Sequence, residues 1–154
     1  MRILIMEDDA RAMPIVDLLR TMGNTVDHTA TLPGLSWYLE EEPGIGAYDA
    51  VILDLNVPGA VLKRPGNLDV TYNAKMGLNG LQYCFDNYEM LFKPHIGKLA
   101  FYSGYLPSAK VFAQEKGCLE WFAEVKYFDK ISGGLTGQVH SWLRELPAQS
   151  AGRP

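Results

Sequence analysis

Apolar residues along this chain follow two rhythms. In one they run unbroken, as in Ile3-Leu4-Ile5-Met6 and Ala50-Val51-Ile52-Leu53, the pattern of strands buried on both faces. In the other they return every three or four residues, as in Ala12, Ile15, Val16, Leu19, Met22 and again in Leu81, Phe85, Tyr88, Phe92. That spacing marks one face of a helix. Read in order, the pattern predicts strands over Arg2–Met6, Thr25–His28, Tyr48–Leu55, Lys98–Ser103 and Val125–Phe128. The second strand is the most polar and belongs at an edge. Helices are predicted over Ala10–Met22, Leu32–Glu42, Leu78–Phe92 and Pro107–Lys116. A last one is sketched by Leu135, Val139, Trp142, Leu143 and Leu146. Gly23, Pro43-Gly44 and Gly117 supply stops.

Five strands alternating with five helices imply an α/β domain, a mostly parallel sheet covered on both faces. Right-handed crossovers leave few topologies. In the doubly wound, flavodoxin-like (βα)5 order 2-1-3-4-5, the first and third strands are neighbours at the switch point, where ligands bind beyond the carboxyl ends of the strands. Two stretches break the rhythm. Val57–Gly77 is a long insertion between the third strand and third helix, rich in proline and glycine and carrying Lys63, Arg64 and Lys75. Loops of that length tend to be functional or disordered. Cys118–Glu124, with Trp121 and Phe122, is read as an extra helical turn.

Composition narrows the classes. At 154 residues, 47% hydrophobic and 21% charged, the chain suits one domain with a sizeable core. No apolar run approaches the roughly 20 residues of a membrane span. A strand pattern almost at Met1 leaves no room for a signal peptide. Cys84 and Cys118 have no metal-type spacing and read as reduced residues of a cytoplasmic protein. The net charge of −4 argues against a nucleic-acid surface.

The chemistry sits at the ends of the apolar runs. Glu7-Asp8-Asp9 closes the first strand and Asp54 ends the run of the third. The topology pools Glu7, Asp8 and Asp54 in one crevice. Carboxylates so gathered repel one another until a divalent cation arrives, which is a setting for phosphoryl chemistry. The bland readings stand beside this. An aspartate at a strand end is usually a turn residue or helix cap, and Asp9 fits that role at the first helix. His28, His95 and His140 are scattered. Trp37, Trp121 and Trp142 read as core or interface residues. Lys63 and Arg64 read as solvated, with a minority reading in which they reach a phosphoryl group or a partner.

Four segments together resemble the receiver domain of two-component response regulators. They are Ile3-Leu4-Ile5-Met6-Glu7-Asp8-Asp9, Val51-Ile52-Leu53-Asp54-Leu55-Asn56-Val57-Pro58-Gly59, Phe101-Tyr102-Ser103-Gly104 and Tyr127-Phe128-Asp129-Lys130. The resemblance implies a stand-alone receiver domain over residues 1–147, similar to chemotaxis regulators, followed by a flexible tail over 148–154. It implies Asp54 as the phosphoacceptor, and Mg²⁺ held by Glu7, Asp8, Asp54 and the Asn56 carbonyl. Lys130 and Ser103 would contact the phosphoryl group, and Tyr127 would turn with Ser103 as a switch. Gly104 would leave room for the phosphoryl group.

A sensor histidine kinase or phosphotransfer protein would be the donor. A downstream protein, or a second copy in a homodimer, would read the result. Such a chain catalyses only its own phosphorylation and dephosphorylation and is not a turnover enzyme.

Three features depart from the family pattern. Ile131 follows Lys130 where proline is usual, so a trans peptide is expected there. Serine stands at 103 where threonine is commoner. The third is the insertion, after which Gly77-Leu78-Asn79-Gly80-Leu81 is taken as the start of the third helix. Two rival readings are a phosphorylation-silent scaffold for protein binding and a phosphohydrolase with Asp54 as nucleophile. The hydrolase pattern wants a second aspartate two residues on, where Asn56 stands.

Overall fold

The computed structural model describes residues 1–73, 78–131 and 134–147. The flexible tail expected over 148–154 and the last four residues of the Val57–Gly77 insertion, Gly77 included, lie outside the described residues. Five parallel strands form the central sheet: β1 (Arg2–Met6), β2 (Thr25–Thr29), β3 (Ala50–Leu53), β6 (Leu99–Ser103) and β7 (Lys126–Asp129). Their order is β2-β1-β3-β6-β7, the flavodoxin-like order expected from the pattern. The strands numbered 4 and 5 are additional and form a separate two-stranded sheet.

The unbroken apolar runs are explained by cover on both faces. Alternate residues of each strand point to opposite sides. Ile3, Ile5, Ala50, Ile52, Ala100 and Tyr102 pack under α1 (Met13–Thr21) and α6 (Leu135–Glu145). Leu4, Met6, Val51, Leu53, Leu99 and Phe101 join the larger core on the other side. That core is covered by α2 (Leu32–Ser36), α3 (Asn79–Asp86), α4 (Leu106–Glu115) and α5 (Leu119–Glu124). Register is tight at the upper ends: Met6 pairs with Leu53, Leu53 with Phe101, and Ser103 with Asp129. The residues following β1, β3 and β7 therefore emerge at the same end of the sheet.

Several helices are shorter than their periodicity predicts. A 3₁₀ turn, Ala10–Ala12, precedes α1 because Pro14 is tolerated only in a first turn. The Leu32–Glu42 helix becomes α2 plus a wider π turn over Trp37–Glu41. The Leu78–Phe92 helix becomes α3, a π turn over Tyr88–Phe92 and a 3₁₀ stretch over Lys93–Lys98. The extra helical turn after Cys118 is α5, whose Trp121 stacks on Tyr88 at 4.6 Å between ring centroids.

The insertion is not a loop throughout. β4 (Ala60–Leu62) and β5 (Val70–Tyr72) make an antiparallel hairpin, pairing Ala60 with Tyr72 and Leu62 with Val70. Leu62 and Tyr72 are buried in the larger core, and the Tyr72 ring meets that of Tyr83 edge-on at 5.9 Å. Arg64 pairs with Glu40, which also accepts from Tyr83 Oη at 2.7 Å. The hairpin is thus bound to the elements beside it by apolar and ionic contacts. No described helix is long and apolar enough to cross a membrane.

Candidate functional site

Glu7 and Asp8 leave the end of β1, Asp54 follows β3 and Lys130 follows β7. One carboxylate oxygen from each of Glu7, Asp8 and Asp54 lies within 4.8 Å of the others, the sole such acidic or metal-ligating group of three among the described residues. Glu7 and Asp54 are almost wholly buried, at 1% and 4% exposure, whereas Asp8 faces solvent. An open cleft of about 950 Å³ adjoins them, with Asp8, Asp54, Asn56, Tyr102 and Lys130 in its walls.

Burying two carboxylates costs several kcal/mol each unless charge and hydrogen bonds are returned. Lys130 returns the charge. Its Nζ lies 2.7 Å from Asp54 Oδ2 and 2.6 Å from Glu7 Oε2, and 4.7 Å from the Tyr102 ring centroid. Backbone amides return part of the rest. Asn56 N donates to Asp54 Oδ1 at 3.1 Å, and Asp9 N to Glu7 Oε1 at 2.9 Å. Glu7 Oε2 is the oxygen left without a directed hydrogen bond, although the Lys130 charge is close.

Burial pushes the Asp54 carboxyl up from 3.8 to about 6, with the Glu7 charge adding to the rise and Lys130 and the Asn56 amide opposing it. Burial alone would lower the Lys130 ammonium. Its hydrogen bond to Asp54 and its ion pair with Glu7 outweigh that and raise it.

The neighbouring acid has another job. Asp9 caps the turn after β1 by accepting from Arg11 N at 2.9 Å, and it binds the Arg11 guanidinium. That side-chain contact holds the Asp9 carboxyl down at about 2.

Ser103 and Tyr127 stand beside the cleft rather than in its wall. Tyr127 Oη donates to the Ser103 carbonyl at 2.7 Å, and Tyr105 N donates to Ser103 Oγ at 3.3 Å. Burial pushes the Tyr127 hydroxyl up to about 12. Among the described residues the only cis peptide is Glu42–Pro43, so Lys130–Ile131 is trans, as the absence of proline leads one to expect. The Ile131 side chain fills the space over Gly104, where a Cβ would come within 3.3 Å of Ile131 Cδ1.

The remaining candidates fall elsewhere. His28 Nε2 donates to the Glu7 carbonyl at 2.8 Å, bracing the end of β1 without facing the carboxylates. Lys63 pairs with Asp69 at 2.6 Å and Arg64 with Glu40, and neither lines the cleft. Trp121 and Trp142 are buried, while Trp37 is half exposed.

Three contributors escaped the sequence reading. Tyr102 lies under the lysine. Asn79 Oδ1 and Nδ2 bind the backbone of Val57 and Pro58. Gly80 lies so close that an added Cβ would sit 2.4 Å from the Asp54 carbonyl oxygen. The only signal for the last two is an Asn-Gly step opening an amphipathic stretch.

Taken as chemistry, three convergent carboxylates beside a fixed ammonium can hold a hard divalent cation and offer Asp54 as an oxygen nucleophile.

No protein-family model and no curated protein matches the chain. Among solved structures, it is similar to the non-phosphorylated HemR receiver domain from Leptospira biflexa. The TM-score is 0.55 and the identity 20%, with 99% of this chain and 97% of that one covered. It is also similar to the receiver domain of TorR, the TMAO respiratory system response regulator. There the TM-score is 0.53 and the identity 18%, over 95% of this chain and 98% of the other. The chain therefore has the fold of response-regulator receiver domains.

Proposed function

We propose that this chain is a phosphoacceptor receiver domain, with Asp54 taking a phosphoryl group from a sensor histidine kinase or phosphotransfer protein. The observation that carries the reading is the position of Lys130 Nζ, 2.7 Å from Asp54 Oδ2 at the mouth of an acidic cleft. A structural ion pair needs no second and third carboxylate at its side, whereas phosphoryl transfer needs a nucleophile, a cation site and a fixed positive charge.

The donor set fits Mg²⁺. That ion takes oxygen ligands at about 2.1 Å, so ligands on opposite sides lie about 4.2 Å apart. The carboxylate oxygens of Glu7, Asp8 and Asp54 lie within 4.8 Å of one another, a separation of that order. Glu7 Oε2, buried and meeting the Lys130 ammonium at 2.6 Å, adds a further carboxylate oxygen to the group. Asp8, Asp54 and the Asn56 carbonyl would hold the ion, with Glu7 reaching it through water or more loosely. Bound Mg²⁺ would supply positive charge to the phosphoryl oxygens.

In the transfer, an Asp54 carboxylate oxygen forms a bond to phosphorus as the donor's nitrogen–phosphorus bond breaks and the electron pair leaves with the imidazole. The product is an acyl phosphate on Asp54. Lys130 exchanges its contact with Asp54 for a phosphoryl oxygen. Ser103 turns its hydroxyl from Tyr105 N to the phosphoryl group, and Tyr127, bonded to the same residue's carbonyl, moves with it. The surface of α4, β7 and α6 then presents a changed face to a downstream protein or to a second copy. Such a switch requires the phosphoryl group to favour one packing by a few kcal/mol.

The test is incubation with acetyl phosphate and Mg²⁺, followed by intact-mass measurement. A hydroxylamine-sensitive adduct on the wild type, absent from Asp54→Asn, is expected. An adduct that survives in Asp54→Asn, or none on the wild type, would sink the proposal.

A further inference from the structure

The chain leaves β3 at Leu53 and enters α3 only at Asn79. Residues 54–78 intervene, and closing a stretch of that length carries an entropic cost. Within it the hairpin pairs Ala60 with Tyr72, which leaves Val57 and Pro58 on one side and Asn79 on the other to be joined. The backbone just after Asp54 nevertheless has to be in place, because the Asn56 amide binds Asp54 Oδ1.

Asn79 spans the two ends. It is 2% exposed. Its Oδ1 accepts from Val57 N at 3.0 Å and from Gly80 N at 3.1 Å. Its Nδ2 donates to the Val57 carbonyl at 2.5 Å and to the Pro58 carbonyl at 3.2 Å. Two accepted and two donated bonds use the full capacity of the amide. Gly80 completes the junction by donating to the Leu55 carbonyl at 3.0 Å.

We propose that Asn79 is a positioning residue. Its side-chain amide clamps Val57 and Pro58 across the base of the inserted hairpin, so that the Asn56 backbone and the Asp54 carboxylate keep their places at the cleft. It acts through the backbone and touches neither a cation nor a phosphoryl group. The inference rests on the reading of Asp54 as phosphoacceptor and adds how the inserted chain is kept from disturbing it. A purely structural role would lower stability and leave the site's affinities alone.

Asn79→Ala and Asn79→Asp, made in the full chain, separate the two roles. Asn79→Asp keeps the acceptor for Val57 and Gly80 and loses both donated bonds. Arg64→Ala serves as a control, because it cuts the hairpin's tie to Glu40 and leaves the clamp intact. One readout needs neither metal nor reaction: hydrogen exchange at the Val57 amide. The others are the Mg²⁺ concentration giving half the maximal melting shift, and the rate of adduct formation from acetyl phosphate.

The expected result is faster Val57 exchange in Asn79→Ala, with a Mg²⁺ midpoint raised by about 10-fold or more and a comparable loss of rate. Asn79→Asp should fall between Asn79→Ala and wild type. Arg64→Ala should melt earlier with a wild-type midpoint and rate. Wild-type midpoints and rates in the Asn79 variants, with only earlier melting, would overturn the proposal. If Asn79→Ala does not fold, Asn79→Asp is judged by the same criterion. A wild type with neither Mg²⁺ response nor adduct would instead remove the phosphoacceptor reading. Unchanged Val57 exchange in the variants would then still remove the clamp.

Discussion

Lys130 and Glu7 share an ion pair of 2.6 Å although one follows β7 and the other β1, and the same ammonium reaches Asp54 at 2.7 Å. One cation therefore bridges two buried carboxylates from separate strands, and removing it leaves like charges facing each other with nothing between them. Lys130→Met should cost about 3 kcal/mol of unfolding free energy in metal-free buffer. Mg²⁺ should then restore a larger share of stability to the variant than it adds to the wild type. Urea melts with and without Mg²⁺ read both numbers. A cost near zero would show that the lysine is not what makes these carboxylates tolerable.

Asp8 is the solvent-facing member of the acidic group, so replacing it should cost little fold stability. A ligand that binds only the folded state adds about 2.7 kcal/mol at one hundred times its dissociation constant. The wild type should show a melting shift of that order in Mg²⁺, and Asp8→Asn should lose most of it. Equal shifts in the two proteins would mean that the cation binds elsewhere.

Gly80→Ala sets two effects against each other. Alanine inside a helix is favoured over glycine by up to about 1 kcal/mol. Against that, the new Cβ would stand 2.4 Å from the Asp54 carbonyl oxygen and 3.2 Å from Leu55 backbone atoms, none of which can swing aside as a side-chain tip does. Overpacking of this kind costs about 1–3 kcal/mol and should win. Chemical denaturation should show a net loss, and a neutral or stabilised variant would mean that α3 can slide away from β3 without penalty.

The Glu40 cluster gives a pH test away from the acidic cleft. Burial alone would raise the Glu40 carboxyl. Hydrogen bonds from Arg64, Tyr83 and Ser36 outweigh it and bring it below the ordinary 4.5. A carboxylate depressed in the folded state contributes stability that is complete above its unfolded pKa and drains away as pH falls through the folded one. Glu40→Gln should therefore lie furthest below wild type near neutral pH, and the gap should narrow as pH drops below 4.5. A gap that stays constant across that range would show that the charge of Glu40 contributes nothing.

The sheet and its acidic corner were legible because both are written locally. Ile3–Met6 and Ala50–Leu53 are unbroken apolar runs, and Glu7, Asp8 and Asp54 stand directly at their ends. The hairpin was not legible. Ala60–Leu62 and Val70–Tyr72 are too short to show alternation, and Pro65-Gly66 between them reads as loop. Periodicity also ran past the real ends of α2 and α3, because a π turn keeps apolar residues close to helical spacing while changing the hydrogen-bond step. The role of Asn79 was hidden for another reason. Its partners Val57 and Pro58 are remote in sequence, and no local pattern records such a bond.

The edge-on meeting of Tyr72 with Tyr83 bears on any attempt to shorten this protein. The hairpin roofs an aromatic patch that the sheet and helices alone do not seal. Excising residues 60–72 would bare the Tyr83 ring to water, and the trimmed molecule would trade an ornamented surface for a sticky one.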